Sequence, residues 1–398
     1  MGHVIPSMVA THALGAAQSM TTLRGLVAAR QPMATYEREC QRCEAHLDGL
    51  RVATDACSLL ESLISDDAEL AAPLALLFAE GPPASANLAV GMLSNPSIEI
   101  FRAAFHGLRL ANITQIKDSL SEKASLPYQE LVSLAAWDIL AFHRIPVRGA
   151  LTDLPKDDHG MLAWLSAEAG GRTPGCWRRL HHQKYSRHPS PHVRQAALRA
   201  SARSGLRELV ADCRDAAASA GSLEAIAFLG VLGSEEDIGR LKRSAEDSTT
   251  AQAALLGMGR LGFPEAIPFL LERLSDPDLA ESGSAAIQRI TGQPVSRGPE
   301  PSPPENLSEE ELDLWAPTAP VDASGVAAWW KQNSARFARG KRYQAGLCVS
   351  DAPLGDVFDQ LPLDARYDVY LRERALTPGT PDWELETWPW KQRNPGAL

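Results

Sequence analysis

The sequence predicts an all-α protein whose body is an α-solenoid of stacked helical pairs, and three observations carry that expectation. Apolar residues recur at helical spacing through most of the stretch from about Thr35 to Thr291. Runs one helix long are separated by Pro, Gly or Ser/Asn clusters. The units of the second half begin roughly 30 to 40 residues apart, the range of helical-pair repeats.

Residues 1–34 are set apart as an N-terminal segment and 35–295 are assigned to the solenoid. In YERECQRCEAHLDGLR, Cys40, Cys43, Leu47 and Leu50 fall at spacings of three, four and three, which puts them on one helix face. CSLLESLI continues the pattern, Pro73 opens PLALLFAE, and Gly81-Pro82-Pro83 breaks the chain. ANLAVGMLS, IEIFRAAFHGLRLAN and YQELVSLAAWDILAFHR follow, each the length of one helix.

The regular, HEAT-like units run from 188 to 292. In HPSPHVRQAALRASARSG, Pro191 suits a first helical turn, where a missing N–H costs nothing. Val193, Ala196, Ala197 and Ala200 make a small-residue stripe that lets a neighbouring helix approach closely. SLEAIAFLGVLGSEEDIGRLKRSAED repeats the arrangement, as does TTAQAALLGMGRLGFPEAIPFLLERLSDPDL, where Gly262 ends one helix and Pro264 starts the next. LAESGSAAIQRITG closes the array. Such units cannot bury their apolar faces alone and must stack on their neighbours.

Composition changes at SRGPEPSPPEN, and residues 296–320 are expected to form a Pro-rich linker. Ser308 and Glu311 make a capping box inside it. Residues 321–398 are expected to be a short, irregular, Trp-rich tail that folds back and caps the solenoid. Within it, Val326, Trp329, Trp330 and Phe337 mark one amphipathic helix.

The chain has 398 residues, 44% hydrophobic and 22% charged, with a net charge of −10. That acidity argues against nucleic acid or an anionic membrane as the main partner. No window approaches 18 consecutive apolar residues, and the first twenty lack the basic region and apolar core of a signal peptide. Six sparse cysteines do not form a disulfide framework and fit a reducing, cytoplasmic setting.

One segment departs from the acidic background. Between Glu168 and Glu208 there is no acidic residue, while Arg172, Arg178, Arg179, Lys184, Arg187, Arg194, Arg199, Arg203 and Arg207 give nine positive charges and leave −19 for the rest. Such a patch suits an acidic protein partner, a phosphate backbone, or neutralisation by acidic neighbours within the chain. In the last case Arg194 bonds within the array, and Arg199, Arg203 and Arg207, spaced by four, share a solvated helix face. Arg172, Arg178, Arg179, Lys184, Arg187, Arg199, Arg203 and Arg207 are the protein-binding candidates.

Enzymatic readings fare worse. Cys40 and Cys43 with His46 lack a second ligand pair and sit on the apolar stripe, so they are expected to be buried small hydrophobes. His188 and His192 are separated by Pro189 and Pro191, which disturbs a shared helix face. Cys176 with His181 or His182 has no orienting third group. GMGRLG at 257–262 follows no strand, and its glycines suit helix packing and helix ending. No catalytic residue, metal or cofactor is assigned.

Three stretches carry a family resemblance: HVIP with EAHLDGLRVA, the HEAT units from 188 to 292, and WWKQNSARFARGKRYQAGL with the closing WPWKQ. Together they resemble a family of bacterial HEAT-repeat proteins often encoded beside type VI secretion genes. The resemblance implies an accessory role as effector adaptor or chaperone, with a secreted effector or spike component as partner. It transfers no catalytic residue. The alternatives are an immunity protein that blocks a toxin, and a HEAT protein that grips nucleic acid through the basic patch, with Trp177 and Tyr185 nearby.

Overall fold

The computed structural model describes residues 5–28, 33–52, 62–64, 68–126, 130–147, 160–219, 221–303, 319–350, 354–377, 380, 383–385 and 387. The capping box at Ser308 and Glu311, most of CSLLESLI and the closing WPWKQ lie outside them. The fold is all-α helical-repeat, and the chain divides into two compact units, Met1–Arg207 with Pro362–Leu398, and Glu208–Leu361.

The first unit holds α1 (Pro6–Ala28), α2 (Met33–Arg51), α3 (Ala71–Glu80), α4 (Pro83–Gly91), α5 (Ile98–Leu110), α6 (Lys117–Ala124), α7 (Leu131–Phe142), α8 (Gly160–Arg172), α9 (Arg179–Tyr185) and α10 (Pro191–Arg203). Its inner row is α3, α5, α7, α8 and α10, each stacked on the next. The sequence explains this row directly. Every residue of α3 from Ala71 to Ala79, and of α7 from Ser133 to Phe142, is buried, as a helix that is apolar all round must be. Close approach needs small residues at the crossings. A Cβ on Gly171 would lie 2.6 Å from Ala200 Cα, so α8 and α10 meet backbone to backbone on the predicted alanine stripe.

One feature of this unit goes beyond the sequence reading. The segment 1–34 contains α1, whose Ala13, Ala16, Ala17 and Leu23 are buried against α2. Two ion pairs of this unit share one sequence separation. Arg51 and Glu80, on α2 and α3, are 29 residues apart, as are Arg109 and Asp138, on α5 and α7.

The second unit holds α11 (Leu209–Ser219), α12 (Leu223–Leu232), α13 (Ile238–Ser244), α14 (Ala251–Leu261), α15 (Ile267–Arg273), α16 (Ala280–Thr291), α17 (Ala323–Asn333), a hairpin of β1 (Tyr343–Gln344) and β2 (Leu347–Cys348), and α18 (Leu354–Phe358). Helices α12, α14 and α16 stack in order. Gly262 and Gly292, at φ of 81° and 70°, end α14 and α16 in the left-handed conformation that favours glycine. Helix α17 is shorter than the predicted amphipathic helix. Phe337 lies beyond its end, buried, with its ring 5.4 Å from that of Trp330 and 5.0 Å from that of Tyr343.

The hairpin was not foreseen. Tyr343 pairs with Cys348 and Gln344 with Leu347 in antiparallel register, around a turn with positive φ at Ala345 and Gly346. It lies across the C-terminal ends of the stacked helices, where backbone carbonyls lack intrahelical partners. Tyr343 N–H donates to Gly262 O (2.8 Å), Gly346 N–H to Ile290 O (2.9 Å), and the Gln344 amide to Arg260 O (2.7 Å). The buried Arg342 guanidinium donates to Val231 O (2.8 Å) and Gly233 O (2.5 Å). One short segment thus caps α12, α14 and α16.

Past this unit the chain forms α19 (Leu363–Leu376) inside the stretch expected to be irregular. It belongs to the first unit and packs on α10, with Tyr370 fully buried. Arg374 Nε donates to Arg203 O (2.9 Å), so a cation meets the end of α10. No helix among the described residues is long and apolar enough to cross a membrane.

Candidate functional site

The basic segment 172–207 is divided by the fold into a buried half and an exposed half. Its buried half is an ion network at the ends of the stacked helices. Arg109 Nε donates to Asp138 Oδ2 (2.8 Å), and Arg172 Nη1 donates to Asp138 Oδ1 (2.9 Å) and Glu168 Oε2 (2.7 Å). Arg199 also bonds Glu168. Arg172 Nε donates to Glu384 Oε2 (2.9 Å), and Arg203 reaches Glu384 through Nη1 (3.1 Å) and Nη2 (3.3 Å). Aromatic rings line the network, with the Arg109 guanidinium 4.5 Å from the centroid of Phe105.

Burial alone would push the Glu168 and Glu384 carboxyls up, but the arginines overcome it. Arg199 and Arg172 hold Glu168 well below the usual carboxylate range, and Arg203 and Arg172 do the same for Glu384. Arg172 and Arg203, sequence candidates for partner binding, are therefore internal and paired. The solvated face of Arg199, Arg203 and Arg207 does not form. Arg203 is buried and ends α10, Arg199 is half-buried on Glu168, and only Arg207, past the helix, is exposed. Arg194 donates to His188 O (2.8 Å) and Pro189 O (2.7 Å), bonding within the array as the repeat pattern implies.

The exposed half centres on α9, a helix with two unlike faces. His181, His182 and Tyr185 point inward. Trp177 stacks on Tyr185 with centroids 5.6 Å apart and the planes 14° from parallel. Trp177 Nε1 donates to Ser201 Oγ (2.9 Å), and His182 Nδ1 lies 2.9 Å from the same oxygen. His181 Nδ1 accepts the Arg178 N–H (3.2 Å), and burial lowers the pKa of its imidazole, with Arg178 adding to the effect. Both imidazoles are buried on the inward face of α9, and His181 also bonds the Cys176 backbone. Trp177 and Tyr185, the aromatics set against a nucleic-acid groove, are core residues.

The outward face carries Arg178, Arg179, Lys184 and, just beyond the helix, Arg187, all exposed. Leu180 stands among them 71% exposed. These four exposed cations lie within seven residues of Leu180 in sequence.

The cysteines near the N-terminus are core residues. Cys40 and Cys43 are fully buried, and burial raises both thiols, Cys43 to about 12. GMGRLG is helix packing and a helix end, with a Cβ on Gly259 falling 2.6 Å from Ala286 Cα and Gly262 left-handed. His188 Nδ1 accepts the Ser190 N–H (3.1 Å), and His192 is exposed on the first turn of α10.

Sequence reasoning missed Asp138, Glu168 and Glu384 as the counter-charges of the basic segment. Asp138 was findable from its 29-residue spacing to Arg109, and Glu168 from its position one turn before Arg172. Glu384, 212 residues beyond Arg172, carried no local signal. Comparison of the chain with protein-family models, curated proteins and solved structures finds no match.

Proposed function

We propose that this protein is a non-enzymatic interaction scaffold that holds an acidic protein partner on the outward face of α9. The observation that carries the reading is Leu180, 71% exposed and flanked by Arg178, Arg179, Lys184 and Arg187. An isolated exposed leucine needs no explanation. One with four exposed cations close by in sequence, in a chain of net charge −10, suits a recognition patch. The division of the basic segment supports it. Arg172 and Arg203 are buried on acids, while Arg178, Arg179, Lys184 and Arg187 are exposed. The resemblance of the terminal stretches to HEAT-repeat proteins encoded beside type VI secretion genes gives the partner class: a secreted effector or spike component, held in the cytoplasm by an adaptor or chaperone.

The test is co-purification with the effector and spike proteins encoded by neighbouring genes, using wild-type protein and the triple reversal R179E/K184E/R187E. Capture by the wild type and its loss in the variant are expected. Capture undiminished by the reversal would remove α9 from the interface. A turnover activity with no captured neighbour would overturn the scaffold reading. Rescue of cells from a co-expressed toxin would assign an immunity role instead.

A further inference from the structure

Helices α1 and α2 carry the same four-residue pattern, HALG at 12–15 and HLDG at 46–49, a histidine one turn before a glycine. The fold brings the two patterns together. The His46 ring lies over Gly15 and the His12 ring over Gly49. A Cβ on Gly15 would fall 2.6 Å from His46 Nδ1, and one on Gly49 would fall 2.7 Å from His12 Cε1. A side chain at either glycine would therefore displace the opposite imidazole. Glycine weakens a helix interior relative to alanine, and both helices carry it where the other's ring is seated.

These seats aim one ring nitrogen of each histidine at the other. His12 Nδ1 and His46 Nδ1 are 3.3 Å apart, and the rings meet edge to face, with centroids 5.5 Å apart and planes at 65°. That separation is at the long edge of hydrogen bonding, which from an N–H to oxygen spans roughly 2.7–3.2 Å. It matches the spacing of about 3.3–3.4 Å between two imidazole nitrogens that share one tetrahedral ion, each about 2.0–2.1 Å from the metal. Both histidines are half-buried, and their sequence neighbours Thr11 and Ala45 are exposed, so solvent lies at the rim of the pair.

We infer that His12 and His46 form a two-histidine site for a divalent transition-metal ion, Zn2+ in the first instance, which pins α1 to α2. Imidazole nitrogen suits zinc, nickel and copper, whereas Mg2+ seeks oxygen. Among the described residues no third His, Cys, Asp or Glu joins the pair, so water fills the remaining coordination positions. Cys40 and Cys43 stay outside the site, fully buried in the core, with Cys43 Sγ 3.9 Å from Ala16 O. Both rings bind as neutral imidazoles with the proton on Nε2. A pair sharing one Nδ1 proton reaches that state by a tautomer shift in one ring, with no proton lost. Besides His12, the charged groups that act on His46 are Glu39 and Arg42. They are of opposite sign and 4.0 Å apart, so together they present no net positive charge to an entering cation. The site is separate from the α9 surface, and R179E/K184E/R187E should leave it unchanged.

The experiment titrates the full chain with Zn2+ in calorimetry, comparing wild type with H12Q, H46Q and H12Q/H46Q, each checked for folding by circular dichroism. Wild type is expected to show a site that either single variant weakens at least ten-fold. The double variant should weaken it no further, because two ligands on one ion act together. Zn2+ should raise the thermal midpoint of wild type and not that of H12Q/H46Q, and Mg2+ should raise neither. No zinc binding by wild type, equal affinity in all four proteins, or independent and additive losses would each overturn the site. If the variants do not fold, hydrogen exchange on wild type decides. Zn2+ should slow exchange across residues 6–28 and 33–51, and unchanged exchange there overturns the proposal.

Discussion

Arg203, the last residue of α10, grips Glu384 with both terminal nitrogens, at 3.1 and 3.3 Å, across 181 residues of sequence. Glu384 is thereby part of the first unit's interior. Breaking such a pair leaves a buried guanidinium without its counter-charge, which costs about 3–5 kcal/mol. Glu384→Ala should therefore lower the first unit's stability by about that amount in chemical denaturation, while Arg207→Ala, at an exposed site, should change it by less than about 0.5 kcal/mol. Equal effects would mean the network contributes nothing specific.

The same network sets an acid limit. Glu384 and Glu168 titrate lower in the folded chain than their ordinary value of 4.5. Above that value both are ionised in either state, and their contribution to stability is fully present. As pH falls below 4.5 the unfolded chain takes up protons first, and the contribution is lost until the folded carboxyls titrate. Denaturation midpoints across an acid series should show this loss, and a variant with both acids replaced by Gln should show a shallower one.

Glycine positions separate packing from propensity. A methyl group on Gly230 would collide with the Gly257 backbone, lying 2.8 Å from its Cα, where α12 crosses α14. Gly230→Ala should destabilise by about 1–3 kcal/mol through overpacking. Gly25, inside α1 with nothing within 4 Å of its Cβ position, should respond to Ala with a gain of about 0.5–1 kcal/mol. Thermal midpoints moving in the same direction for both would contradict the helix spacing.

Arg342→Ala removes the donors on Val231 O and Gly233 O at the end of α12 and a cation 5.3 Å from the Phe263 ring centroid. A loss of about 2–4 kcal/mol is expected, since buried carbonyls are left without partners. Hydrogen exchange should rise at the end of α12 and in the hairpin. Protection unchanged there would show that the strap is not what closes the helix ends.

Thiol chemistry offers a direct check of the core. Burial raises Cys43 and Cys213 to about 12 and Cys40 further. A thiol reagent at pH 8 should leave all three unmodified in the native protein and label them after denaturation, as peptide mapping would reveal. Native labelling at Cys43 would remove it from the α1–α2 interface.

The sequence by itself determined the local structure. Helical spacing of apolar residues, prolines in first turns, and glycines such as Gly262 at helix ends specify where helices start and stop, because those signals act over one or two turns. It also singled out the segment 172–207 as anomalous, from charge alone. Only the tertiary structure decided what each cation does. Whether an arginine is solvated or buried depends on which helix face meets a neighbour and on acids distant in sequence. Arg178, Arg179 and Lys184 stay at the surface because α9 turns His181, His182 and Tyr185 inward. Arg203 is interior because Glu384 returns to it from beyond the second unit. The hairpin and α19 were illegible for a related reason. The hairpin caps helix ends and α19 packs on α10, partners supplied by the stacked array rather than by adjacent sequence.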